Sequence, residues 1–408
     1  MSNITIISGY FFPEDTAIGL YNTQMVDYLE DKGYKVSVIT GFPSYPQWKI
    51  RDEYKDKNTF LLENLGSTKI YRYKQYVPSR PTFLKRILLL LDFTLGSLVN
   101  VLKIKECDLV ISVVPHTTTM LLAWILKKRK KAKLWNHVQD FEFDAVSQTG
   151  ISSKDFLLKR IIFKLLFKIE SSLLNKGDIN STISHVMLSK LISKSKTDSY
   201  YFPNWIDINN INPLKENRHR YMPTNTAFNI LYSGNIGDKQ DWEFFLNFAS
   251  GLENHNVNII IVGDGARREW LNSKIKELSK VTYYPPVPYN ELSSLLSSAD
   301  LHILFQKNDV VDSVMPSKLL GMMASARPSL ISGNEDSEVK SVISESKGGF
   351  YISDNSVKNC INIVEKLIES PKKAQDIGFY AREHVANKFS LKKVLNNFES
   401  TLAKILKE

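Results

Sequence analysis

FNILYSGNIGDKQDW, Phe228 to Trp242, decides how the rest of the chain is read. Ile230, Leu231 and Tyr232 form a short apolar run with strong β tendency, cut off by Ser233-Gly234-Asn235 and Gly237. Beyond Lys239, the spacing of Trp242, Phe245, Leu246 and Ala249 predicts the apolar face of a helix. Strand, glycine turn and helix start is a layout that leaves backbone N–H groups pointing at a bound anion. Lys239 adds positive charge beside that turn. Many α/β units carry a glycine-rich first turn for structural reasons alone, so the turn by itself fits either role. Its place in the chain matters more: it lies mid-chain and opens what reads as a second α/β domain.

Working outward, 408 residues exceed one ordinary core and predict two domains. The formal charge is +10, from 53 basic and 43 acidic residues. Such an excess suits an anionic membrane surface or a phosphate-bearing substrate. No arginine-rich tract or nucleic-acid motif occurs, so no nucleic-acid partner is expected. Cys107 and Cys360 lie far apart, each in an apolar segment, and read as buried reduced thiols rather than a disulfide or zinc framework. The start, MSNITIISGYFFPED, lacks a charged n-region, so no signal peptide is expected.

Asn3 to Ser8 predicts a first strand, Gly9 to Gly19 a long loop, then a helix through Leu29 and a strand from Lys35 to Thr40. This βαβ start predicts a parallel, doubly wound sheet. Gly19, opening the helix, suits either the approach of a phosphate to the backbone or a plain helix cap. The loop GFPSYPQW, Gly41 to Trp48, offers Tyr45 and Trp48 as a substrate wall or as a rigid turn. Leu109 to Leu126 carries no formal charge, yet Pro115, His116 and three threonines make it a strand, loop and helix rather than a membrane span.

Lys133 to Val138 predicts a strand running into Gln139-Asp140-Phe141-Glu142-Phe143-Asp144. Carboxylates just past the C-terminal end of a parallel strand lie where such sheets bind ligands. Asp140, Glu142 and Asp144 are therefore candidate site residues, with Asp140 and Asp144 on one face if the turn is helical. Tyr200 to Ile208, YYFPNWIDI, reads as the end of domain one, placing the first domain at 1–203.

Two segments bear on membranes. Thr82 to Lys105 has charges, Lys85, Arg86 and Asp92, that break it into pieces too short to span a bilayer, but Leu88 to Leu91 is apolar all round a helix. This favours an interfacial role. In Asp155 to Gly177, Arg160, Lys164 and Lys168 recur every fourth residue and predict a basic stripe opposite Ile161, Ile162, Leu165 and Ile169. That pattern reads as a sheet-covering helix with a solvated face, or else as a helix lying on an anionic leaflet.

Domain two alternates strands and helices. Val257 to Val262, Val281 to Tyr284 and Leu301 to Phe305 predict further strands, the first ending in Gly263-Asp264-Gly265. The loop QKNDVVDSVMPSK follows, and Pro316 at a first helical turn would free the N–H groups of Ser317 and Lys318 for an anion. Lys318 would then approach the phosphate from the side opposite Lys239.

The segments GFPSYPQW, HVQDFEFDA, YFPNWIDI, YSGNIGDKQ and VMPSKL together resemble family 4 of the nucleotide-sugar glycosyltransferases. Within that family they resemble most the fucosyltransferases of colanic acid and related exopolysaccharide pathways, over nearly the whole chain. The resemblance implies the GT-B fold: two facing Rossmann-like α/β domains with parallel sheets. It implies a donor domain over 204–385 and a last segment, 386–408, that crosses back as a helix. Gly19 matches the N-domain glycine facing the donor phosphate, and Gly234, Asn235 and Lys239 match the phosphate-contacting turn. The Val287 loop matches the one holding the nucleobase through its backbone. Asp140 falls where the family often has a histidine–aspartate pair, with Gln139 in the histidine's place. The family's pair of glutamates is missing: Ser313 and Gly321 stand there, and Lys318 with Asp312 is expected to take over part of their role.

The implied reaction is retaining sugar transfer from a GDP- or UDP-sugar to a lipid-linked diphosphate sugar, in the cytoplasm at the inner leaflet of the membrane. It needs no covalent nucleophile, no metal and no cofactor, and no Asp-x-Asp motif occurs. Fixed dipoles and Lys239 would stabilise the leaving diphosphate, and Asp140, Glu142 or His116 would orient or deprotonate the acceptor. Two rival readings follow from the missing glutamates and the two-domain shape: a non-catalytic nucleotide-sugar or lipid-binding scaffold, and a sugar-nucleotide epimerase.

Overall fold

The computed structural model describes residues 1–14, 17–45, 47–80, 82–144, 156–214, 217–309 and 317–407. The chain divides into two compact units, Met1–Pro203 with Leu395–Glu408, and Asn204–Val394.

Unit 1 is built on the strands β1 (Asn3–Ser8), β2 (Lys35–Gly41), β3 (Phe60–Leu65), β4 (Thr68–Tyr73), β5 (Leu109–Val114), β6 (Lys133–Val138), β7 (Ile179–Thr182) and β8 (Ser199–Tyr201). Their order in the sheet is β3-β4-β2-β1-β5-β6-β7-β8. Every pairing is parallel except β3 with β4, an antiparallel hairpin on the edge. β1 and β5 are buried on both faces, as strands covered by helices must be, so their apolar residues do not simply alternate with polar ones and are interrupted only by the buried Thr5 and Ser112. β1 pairs β2 on one side and β5 on the other, which makes the β1/β5 junction the switch point of the sheet.

Helices cover this sheet, among them Ala17–Asp31, Phe83–Lys103, Thr119–Lys130, Phe156–Leu174 and His185–Lys194. The helix Ala17–Asp31 starts two residues before Gly19, which therefore sits within its first turn. Leu391–Lys407 forms the last helix; its Phe398 stacks on Phe202 at 4.7 Å and lies 4.9 Å from Trp135 in unit 1. Burying three aromatic rings at one seat secures that helix.

Unit 2 carries β9 (Phe228–Ser233), β10 (Val257–Val262), β11 (Val281–Tyr284), β12 (Leu301–Phe305), β13 (Ser329–Ser332) and β14 (Gly349–Ile352). The sheet order is β11-β10-β9-β12-β13-β14, all parallel, with its switch point between β9 and β12. One continuous core joins Leu231 and Phe305 of the sheet to Phe245, Phe248 and Leu320 of the covering helices.

The two helices with apolar and basic patterns differ from expectation in which residues face outward. In Phe83–Lys103, Leu89 and Leu90 are buried, while Leu84, Leu88, Leu91, Leu95 and Leu102 are exposed. The apolar run is thus split between core and surface, and the exposed members follow helical spacing. In Phe156–Leu174, Arg160, Lys164 and Lys168 are exposed, and so are Ile161, Leu165 and Ile169. Each isoleucine or leucine directly follows a basic residue, about 100° further round the helix. Basic and apolar side chains therefore share the outward side and do not oppose each other. Among the described residues, no helix is long and apolar enough to cross a membrane.

Candidate active site

The switch point of unit 2 brings Gly234, at the end of β9, together with Lys318 in the first turn of the helix Ser317–Ala324. Nζ of Lys318 donates a 3.1 Å hydrogen bond to the Tyr232 hydroxyl and lies 4.7 Å above its ring. A Cβ added at Gly234 would come within 3.4 Å of that nitrogen, and Gly234 has a left-handed φ of +142°. The Tyr232 hydroxyl donates to the Asn235 carbonyl at 2.6 Å. Burial raises the Tyr232 phenol well above its ordinary pKa, so it stays a donor. Lysine, phenol and carbonyl thus form a polarised chain that fixes the ammonium beside the glycine turn.

The backbone N–H groups of the turn are used differently from the expected anion cradle. Gly234 N–H donates to Val262 O at 2.9 Å and Ile236 N–H to Asp264 O at 2.8 Å. Gly237 N–H donates to Gln240 Oε1 at 3.1 Å. The following helix begins only at Trp242, capped by Asp241. The turn is glycine-rich because it lies directly on the next turn: a Cβ at Gly263 would fall 1.9 Å from the Gly234 carbonyl oxygen. Positive charge at this end of the sheet comes from side chains: Lys318, the exposed Lys239, and Arg267, which pairs with Asp238 at 2.6 Å. Arg267 escaped the sequence reading, although GDGARRE sets it just past the end of β10. Asn235 is exposed, and Val287 packs half-buried against the core of unit 2. Asp312 and Ser313 lie outside the described residues, as does the side chain of Ser317.

In unit 1 the loops after β1, β2, β5 and β6 gather at one end of the sheet. His116 is buried, with its ring 5.1 Å from that of Tyr10 and 5.3 Å from that of Phe93. Burial lowers its pKa to about 4, so it is a neutral imidazole near pH 7. Tyr45 and Trp48 line the same pocket as His116, and the Arg86 guanidinium lies 5.5 Å from the centre of the Trp48 ring.

Two acids, the buried Glu14 and the half-buried Glu142, tie these loops together. Glu14 accepts the N–H groups of Ser44 and Tyr45, both at 2.8 Å. Glu142 accepts the N–H and hydroxyl of Thr117 at 3.0 and 3.1 Å. Burial raises both carboxyl pKa values, and these hydrogen bonds oppose the rise. Tyr10 is raised too, first by burial and then by the charges of Glu14 and Glu142.

Asp140 is half-buried past the end of β6, ahead of the helical turn at residues 142–144. Asp144 is engaged by Lys190 at 2.8 Å and Lys194 at 2.6 Å, an ion-pair group that anchors the loop to the helix His185–Lys194. Gly19 packs on Glu14, where a Cβ would lie 2.6 Å from the carbonyl oxygen. That close approach accounts for glycine at this position without a ligand. Among the described residues, no three His, Cys, Asp or Glu side chains gather as a metal site requires.

Residues 215–384 match the family model of the group 1 glycosyl transferases. Over 401 residues the chain is 30% identical to WcaI of Escherichia coli (strain K12), named as a glycosyl transferase of colanic acid biosynthesis; the match covers 95% of this chain and 96% of WcaI. The chain belongs to the group 1 glycosyltransferases. Solved structures show that this glycosyltransferase has the GT-B fold. The sucrose-phosphate synthase of Thermosynechococcus elongatus superposes with a TM-score of 0.73 at 13% identity, over 100% of both chains. HepE of Anabaena, in complex with UDP, superposes with a TM-score of 0.68 at 13% identity, over 99% of this chain and 100% of its own.

Proposed function

We propose that this glycosyltransferase moves a sugar, fucose or a related deoxy sugar, from a GDP- or UDP-sugar to a lipid-linked diphosphate saccharide in surface polysaccharide biosynthesis. The observation that carries the donor side is Lys318 held on Gly234 at the switch point of unit 2, where open α/β sheets bind their ligands. A diphosphate seated there meets a fixed ammonium. The UDP and UDP-glucose complexes of HepE and the colanic acid assignment of WcaI support the donor class and the pathway class.

In the reaction, negative charge grows on the leaving diphosphate. Lys318, with Lys239, stabilises that charge more in the transition state than in the ground state, which lowers the barrier. On the acceptor side, Asp140 orients the incoming hydroxyl. The family resemblance supports a retaining route in which the departing phosphate takes the acceptor proton, with neither metal nor cofactor. The lipid-linked acceptor places the enzyme at the inner leaflet. The exposed leucines of Phe83–Lys103 and the mixed basic and apolar side of Phe156–Leu174 support that location.

A thermal-shift screen with GDP- and UDP-sugars tests the donor class, because a ligand bound only by the native state raises the melting temperature. The matching donor is then incubated with and without lipid-linked acceptor. Stabilisation by one nucleotide series and acceptor-dependent release of its diphosphate is the expected result. Donor conversion without any acceptor would instead mark an epimerase, and stabilisation without any turnover would mark a binding scaffold.

A further inference from the structure

The loop after β6 carries Asp140, and its far end rests on one lysine. Glu142 accepts from Thr117, and Phe141 and Phe143 are buried. Beyond them, Asp144 meets Lys194, whose Nζ also donates to Glu170 on the helix Phe156–Leu174. The same nitrogen lies 4.6 Å from the centre of the Phe141 ring and 4.8 Å from that of Phe167. Lys190, one turn earlier, pairs with Asp144 at 2.8 Å and stands 5.2 Å from the Phe141 ring. The Ser171 hydroxyl donates to the Lys194 carbonyl at 2.6 Å, so the helix Phe156–Leu174 holds both the backbone and the side chain of Lys194. Three segments distant in sequence thus converge on one ammonium group.

This arrangement is more than packing requires. The Glu170 side chain is 2% exposed and that of Lys194 16%. Burial raises the Glu170 carboxyl pKa, and the Lys194 charge opposes that rise. Burying an ion pair gives up hydration that an apolar contact keeps no claim on, so such a pair adds little stability over well-packed apolar side chains. What it supplies is direction. A carboxylate and an aromatic ring of the loop are both fixed on a charge whose own position is set by a second helix. Phe141 directly follows Asp140, so the constraint reaches the Asp140 backbone without an intermediary.

We propose that Lys194 is a positioning residue for sugar transfer: acting through Phe141 and Asp144, it fixes the loop on which Asp140 meets the incoming hydroxyl. The inference rests on the transferase reading above and on the place of Asp140 in it. Lys194 touches no substrate in this role, so loosening the clamp slows turnover without weakening the hold on the nucleotide.

The test uses the full chain. Activity is read as nucleoside diphosphate release from UDP-glucose, UDP-galactose, GDP-mannose and GDP-fucose, to water and to polyprenyl diphosphate N-acetylglucosamine. Asp144→Ala removes the loop's end of the clamp and leaves the buried Glu170 paired with Lys194. It is expected to lower kcat about tenfold, to leave the donor KM unchanged, and to speed amide hydrogen exchange over residues 139–144. Lys194→Met is expected to do the same. If it fails to fold because Glu170 loses its cation, Lys194→Met/Glu170→Gln takes its place. In an Asp140→Ala background, Asp144→Ala should cost little further, because the loop then lacks the side chain that the clamp positions. Unchanged kcat or unchanged exchange in Asp144→Ala, or an equal fold-loss with and without Asp140, overturns the proposal and leaves the cluster a structural tie. Wild-type protein that releases nucleoside diphosphate from none of the donors overturns the transferase reading instead, so the two failures are distinguishable.

Discussion

Lys318 lies on Gly234: its ammonium is 3.1 Å from the Tyr232 hydroxyl and within 3.4 Å of where a Gly234 Cβ would stand. The turn's own N–H groups at Gly234, Ile236 and Gly237 are already donated within the protein. Charge at this end of unit 2 is therefore a matter of side chains. A charge-assisted hydrogen bond contributes roughly 1.5–3 kcal/mol, so Lys318→Ala is expected to weaken nucleoside diphosphate binding on the order of ten- to a hundredfold. Lys239→Ala, removing an exposed lysine, should cost less. Calorimetric titration ranks the two, and a larger loss from Lys239→Ala would move the anion to the other side of the turn.

Gly263 is predicted to be a stability position. An alanine methyl group there would overlap the Gly234 carbonyl oxygen at 1.9 Å, and that oxygen is backbone and has no rotamer to escape into. Overpacking of this kind costs typically 1–3 kcal/mol or more. Gly263→Ala should lower the urea midpoint clearly, whereas alanine at Gly33, with open space around it, is limited to the strain of its φ of +85°. An unchanged midpoint for Gly263→Ala would mean that the two turns separate freely.

Much of this organisation is legible in the residues, and the exceptions have physical reasons. The short apolar stretches of β1, β5, β9 and β10 and the glycine punctuation between them predict the alternating α/β units. The hairpin of β3 and β4 escaped notice, although FLLENL and TKIYRY flank a Gly66-Ser67 turn. Its second strand carries Arg72, fully buried against Glu63, and a buried arginine interrupts the apolar pattern by which strands are recognised. Two partners of the Gly234 turn were invisible because the N–H groups of Gly234 and Ile236 are satisfied by β10 and its following loop, far along the chain. His116 was singled out by residue type, but its burial depends on Gly9, whose small size carries meaning only once β1 and β5 are adjacent.

Three buried histidines set an acid limit on stability. Burial lowers the pKa of His116 to about 4, and of His137 and His302 to about 3, from an ordinary value of 6.5. The unfolded chain takes up these protons near pH 6.5 while the folded chain does not. Their contribution is therefore fully present above pH 6.5 and is lost as pH falls through the window that ends at about 4 for His116 and at about 3 for His137 and His302. Glu14 and Glu142, raised by burial, act in the opposite sense: their contribution is present below the ordinary 4.5 and is lost as pH rises above it. Each histidine steepens the acid loss by up to about 1.4 kcal/mol per pH unit. Urea denaturation between pH 7 and pH 5 should show a shallower loss in His302→Gln than in the wild type, and equal slopes would show that His302 is not held neutral.

The proposed location at a bilayer predicts how the exposed helix faces act. Leu84 and Leu95 are 75% and 71% exposed, with Leu88, Leu91 and Leu102 along the same helix, while Leu89 and Leu90 are each 6% exposed. Apolar burial in the headgroup region gains about 25 cal/mol per Å² and is not screened by salt. Arg160, Lys164 and Lys168 add on the order of 1 kcal/mol each near an anionic leaflet, and this part falls off within a Debye length. Sedimentation with liposomes containing anionic lipid should be strong at low salt and only partly reversed at high salt. Replacing Leu88, Leu91 and Leu95 together with serine should remove the salt-resistant part and leave the melting temperature near that of the wild type, because these side chains already face water. Lys164→Glu with Lys168→Glu should remove the salt-sensitive part. Leu89→Ser is the contrasting variant: it places a hydroxyl in the core of unit 1 and is expected to lower stability. Wild-type protein remaining in the supernatant at low salt would refute the membrane assignment, and the leucine stripe would then need another partner.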